Sequence, residues 1–172
     1  GYARLSELQK RAIKYIASQV STDINIDAND DGSIDNIVFM VNGNVDGWND
    51  VLWPIQNSVD FEAQINGKNA GTYNMQFEDA LSVSVLCHEM FHTLGAPDLY
   101  HYNEDYSNLQ PVGRWDLMEE DGNQNMIAYM KFRYGKWIGT IPEITSSGTY
   151  ILNPLGGNDT LNICYKINFF TI

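Results

Sequence analysis

Between residues 83 and 98 the chain reads VSVLCHEMFHTLGAPD, an apolar helical stretch cut off by a glycine and a proline, and no other segment narrows the fold as much. The apolar pattern predicts a buried helix over residues 77 to 94, apolar on nearly all sides. Positions four apart on a helix share a face, so His88 and His92 present two imidazoles to one cation, with Glu89 beside them. A cation held there would lower the pKa of a water toward about 7, and an adjacent carboxylate would take its proton. The same three residues also read as hydrogen-bonded side chains of a buried helix. The break that follows favours the metal. Gly95 is free to adopt the left-handed conformation and Pro97 cannot continue a helix, so the chain doubles back. Asp98, six residues after His92, then completes HExxHxxGxxD, a zinc set with aspartate as third ligand. A rival layout takes its third ligand from a later helix. Its candidates, Glu119 and Glu120, fall in a loop, which ranks it second, and His101 lies outside the ligand spacing and reads as a surface residue.

At 172 residues the chain has the size of one ordinary domain with one core. Its 22 acidic and 10 basic residues give a net charge of −12, a field that repels nucleic acid and acidic membranes and favours cations. No apolar run approaches the roughly 20 residues that span a bilayer, so no membrane insertion is expected. Cys87 and Cys164 make no disulfide framework. The chain begins inside a helix and ends on INFFTI, which reads as a piece of a longer precursor.

Residues 3 to 20 place Leu5, Leu8, Ala12, Ile13, Ile16 and Val20 at helical spacing. NIVFMVNG then reads as a short buried strand, and VLWPI and TYNMQF as further strands between the turn signals NGNVDGWND and INGKNAG. Residues 95 to 122 are irregular, NMIAYMKFRYGKW predicts a second amphipathic helix, and the tail from Ile141 has the turn chemistry of late strands. The fold class is α/β (α+β), a small twisted mixed sheet with a site helix, organised as a catalytic domain over residues 1–140 and a β segment over 141–172.

Two further features bear on chemistry. Asp27, Asn29, Asp31 and Asp35 occupy positions 1, 3, 5 and 9 of a D-x-N-x-D-G pattern with Gly32 at the sixth, a spacing that suits calcium. Val38 stands where the closing glutamate belongs, and the alternative is a turn whose side chains cap their own backbone. Met118, in GRWDLMEED, is a candidate for the methionine-bearing turn that packs under zinc ligands in HExxH proteases, and equally fills a core.

CHEMFHTLGAPDLY, followed by PVGRWDLM and AYMKFRYGKWIG, resembles the immune inhibitor A family of secreted bacterial zinc metallopeptidases, of the metzincin clan. DANDDGSIDNIVFMVNG and VLWP resemble the family's acidic loop and Trp-Pro strand, so the likeness covers roughly residues 27 to 140 in order. The resemblance implies His88, His92 and Asp98 as zinc ligands, Glu89 as general base and Met118 as the turn methionine, with Gly95 shaping the site. It implies a secreted or cell-surface monomer acting on protein or peptide substrates, with zinc and, through the acidic loop, calcium as candidate cofactors. Two departures stand out: Ile55 follows Trp-Pro where the family often has histidine, and EEDGNQ follows Met118 where small residues are usual. Tyr100, Tyr102 and Tyr129 are the candidates for oxyanion stabilisation, and an edge strand, GTYNMQF, for pairing with substrate. The rival readings are a catalytically silent binding module at the cell surface and a calcium-stabilised structural domain.

Overall fold

The computed structural model describes residues 2–43, 53–103, 105, 109–120, 122, 125–157 and 161–168. Where the length suggested one core, the chain divides into two compact units, Gly1–Thr93 and Leu94–Ile172. The class is mixed: a small mixed sheet and few helices, compatible with α+β.

The first unit opens with helix α1, Tyr2–Ala17. It stops short of the predicted residue 20, where the Gln19 amide turns back only three residues to the Ile16 carbonyl, at 2.8 Å, and tightens the last turn. Val20 still packs on a core cluster of Ile13, Ile34, Ile65 and Ala70. Five strands follow, β1 Ile37–Val41, β2 Ile55–Ser58, β3 Gln64–Ile65, β4 Lys68–Asn69 and β5 Thr72–Phe77. β3 and β4 form a hairpin whose turn, Asn66 and Gly67, has φ of 51° and 77°, the doubly positive pair that an Asn-Gly hairpin turn adopts.

In the three-stranded sheet the order is β1-β5-β2, with β1 parallel to β5 and β2 antiparallel to it. TYNMQF is therefore the central strand and not the edge. Both of its faces are covered. Tyr73, Met75 and Phe77 form an apolar cluster with Leu5 of α1, while Asn74 and Gln76 on the opposite face are fully buried. β1 departs in the other direction: Val38 and Met40 stay about half exposed, so it alternates and is not wholly buried.

Helix α2, Val83–Thr93, carries the HExxH residues. It starts six residues later than its apolar pattern suggested, because Phe77 closes β5, Glu78–Ala80 form a single 3-10 turn, and the Ser82 hydroxyl caps the new helix by accepting the Val85 amide at 3.1 Å. Nor is it buried all round: Val83 and Met90 are exposed while His88, Glu89 and Phe91 are buried.

The second unit is less regular. The predicted helix over NMIAYMKFRYGKW is helical only as α3, Ala128–Met130, running into a π-helical turn, Lys131–Gly135, that Lys136 ends at φ 55°. Gly135 is required there, since a Cβ would lie 2.7 Å from the Trp137 ring. Among the described residues the late strands reduce to one bridge, Glu143 to Lys166. No helix among the described residues is long and apolar enough to cross a membrane.

Candidate metal centre

One turn of α2 separates His88 from His92, and their Nε2 atoms face each other at 3.2 Å with the rings nearly perpendicular, at 84°. Two nitrogens each about 2.0–2.1 Å from one tetrahedral zinc are separated by about 3.3 Å, so the pair has the spacing of two ligands to one ion. Two imidazoles at this distance can also share one hydrogen bond. His88, His92 and Asp98 each offer one ligand atom, all within 4.8 Å of one another, the one such group of three found among the described residues. Two imidazoles and a carboxylate form a donor set that zinc accepts readily. Gly95, at φ +88°, makes the left-handed turn between the histidines and Asp98. Glu89, next along the helix, is buried.

Asp98 is oriented by its own neighbours in sequence. The Tyr102 hydroxyl donates to Asp98 Oδ2, and the Tyr100 ring stands edge-on to Tyr102 at 5.1 Å. Burial pushes the Tyr100 phenol well above its ordinary range, and the Asp98 charge adds to the shift. Of the tyrosines considered for an oxyanion, Tyr102 thus serves the carboxylate, and Tyr129 lies exposed on α3. The rival ligands are engaged locally: Glu119 accepts the Val112 amide at 3.4 Å and Glu120 pairs with Arg114 at 3.2 Å. His101 is exposed.

Met118 is fully buried in a turn built by a residue that sequence reasoning passed over. Asp116, also fully buried, accepts the Met118 amide on Oδ1 and the Ile127 amide on Oδ2, each at 2.8 Å, while its carbonyl accepts the amides of Glu119 and Glu120. Removing that carboxylate orphans one buried and one part-buried N–H group. Asp116→Ala is expected to cost about 2–5 kcal/mol, read as a lowered midpoint in urea. An unchanged midpoint would show that the carboxylate does not hold the turn.

In the acidic loop the side-chain oxygens turn inward. Asp27 accepts the amides of Asp31 and Gly32, Asn29 accepts that of Asp31, Asp31 accepts that of Ser33 and Asp35 accepts that of Ala28. The Lys68 ammonium, from β4, reaches Asp27 Oδ2 at 2.7 Å and Asp30 Oδ1 at 3.2 Å. The loop therefore shows the backbone-capping pattern, with a lysine charge on its first carboxylate. Lys68, helped by the Gly32 and Asp31 amides and opposed by burial, holds Asp27 below its ordinary value of 3.8. A depressed carboxyl stabilises the fold fully above the unfolded value and loses that contribution as pH falls through the lower folded one. Thermal melts below pH 3.8 should therefore fall more steeply for the parent than for Asp27→Asn; parallel curves would contradict the pairing.

Comparison with protein-family models and with curated protein sequences returned no match.

Proposed function

We propose that this chain is a zinc-dependent endopeptidase, a metzincin-type domain of the kind found in the immune inhibitor A family, acting outside the cell on protein or peptide substrates. One observation carries the reading: two imidazole nitrogens 3.2 Å apart, with a carboxylate in reach, beside a buried glutamate on the same helix. His88, His92 and Asp98 would hold the ion, which when bound supplies Lewis acidity to the scissile carbonyl and acidifies the attacking water. Glu89 accepts the proton of that water and returns it to the leaving amine, and its burial strengthens both transfers by excluding competing solvent. The sheet edge at β2 replaces the central β5 as the strand along which an extended substrate would pair by main-chain hydrogen bonds.

Metal content tests the reading. The chain, loaded with zinc and dialysed against metal-free buffer, is expected to retain about one ion per molecule by elemental analysis, and to lose it at acid pH, where protons compete for the ligand atoms. A chain that retains none overturns the proposal.

A further inference from the structure

The face of β5 that meets α2 is polar where a sheet face under a helix is ordinarily apolar. Asn74 and Gln76 are both completely inaccessible to solvent there. Asn74 uses both protons of its carboxamide, donating to Thr93 Oγ1 at 3.0 Å and to Asn36 Oδ1 at 2.9 Å, and Asn36 in turn donates to Met90 Sδ at 3.1 Å. Two residues of the last turns of α2 are thereby tied to one strand residue. Asn74 Oδ1 and both polar atoms of Gln76 have no hydrogen-bond partner among the described residues, a cost in stability for groups so deeply buried. Apolar residues of similar size would pack the same space without it.

We infer that Asn74 is a positioning residue, fixing the rotation of α2 through Thr93 and, by way of Asn36, through Met90. The inference rests on the zinc reading of His88 and His92. At 100° per residue, Met90 and Thr93 centre on a face about 150° around the helix from the two histidines. The side pinned to the sheet is thus nearly opposite the side that presents the ligands. Apolar packing is non-directional and tolerates a helix that rolls, whereas a hydrogen bond weakens steeply when bent. A roll of one residue would carry both imidazoles about 100° away from Asp98. A buried carboxamide that specifies register at a cost in stability is the best-attested use of a polar group in a core.

Three substitutions in the full chain separate positioning from packing, each read by zinc affinity in competition with a chromophoric chelator and by melting of the metal-free protein. Thr93→Val keeps the shape and removes the acceptor, and is expected to weaken zinc about ten- to a hundredfold. Thr93→Ser keeps the hydroxyl and should restore affinity to near the parent value. Gln76→Met, on the same strand face but outside the network, should leave zinc affinity unchanged and melt at or above the parent temperature. Parent-like affinity in Thr93→Val, or an equal loss in Thr93→Ser, overturns the positioning role while leaving the zinc site intact. A parent chain that binds no zinc removes the site and the positioning role together.

Discussion

Glu89→Gln is expected to lose about 10²–10⁴-fold in peptide cleavage while keeping its zinc. The amide is nearly isosteric with the carboxylate and hydrogen-bonds as well, so substrate can still bind, but it cannot accept a proton near neutral pH. At about 1.4 kcal/mol per decade the loss corresponds to roughly 3–6 kcal/mol of transition-state stabilisation. It should fall on kcat and on kcat/KM alike, because the missing proton transfer operates only in the transition state. Glu89 is not among the three residues that offer metal ligands, so zinc content should stay at the parent level. Wild-type turnover in Glu89→Gln would remove the general base from the account, and loss of zinc along with activity would move Glu89 into the ligand set.

The second large effect is at Asp98. Asp98→Ala removes one of the three proposed ligands, and zinc affinity should fall by more than the roughly 10–100-fold typical of residues that only support a ligand. Asp98→Asn keeps the size and a neutral oxygen but loses the charge, so it should bind zinc at an intermediate level. Activity at saturating zinc separates the variants further: the asparagine form should recover part of its turnover and the alanine form little. If both variants hold zinc as the parent does, the third ligand lies elsewhere, and Glu119 and Glu120 return as candidates.

What the sequence made legible follows the range of the interactions concerned. His88 and His92 are visible because four residues on a helix is a local relation, and Gly95 and Asp98 because the left-handed turn is written in the residue that adopts it. The β3–β4 hairpin is announced by its own Asn-Gly pair. Strand order is not local. TYNMQF, the expected edge strand, lies as β5 between β1 and β2, and its polar residues are buried instead of facing water. The same property hid the supporting residues: Lys68 of β4 meets Asp27 of the distant acidic loop, and Asn74 meets Thr93 nineteen residues along the chain. The start of α2 was misplaced for a different reason. FEDAL keeps Phe77, Ala80 and Leu81 at helical spacing, and only Ser82, one polar residue among many, marks the cap. In the second unit, turn residues after Ile141 predicted hairpins, but turn chemistry permits a strand pair without supplying the apolar faces that make one stable.

The polar network under α2 also says how the proposed centre tolerates change. Substitution of a residue that is itself exposed on α2, such as Val83→Ser, touches neither the ligands nor Thr93 and should be nearly silent. Substitutions at Asn74 or Thr93 should act on the metal although neither residue offers it a ligand.

The most direct measurement is mass spectrometry of a mixed peptide library incubated with the zinc-loaded chain. Cleavage at internal peptide bonds that stops when a chelator strips the zinc, and resumes when zinc is restored, is the result predicted. A chain that holds zinc and leaves every peptide intact would contradict the endopeptidase and bring forward a silent domain that binds its target without cutting it.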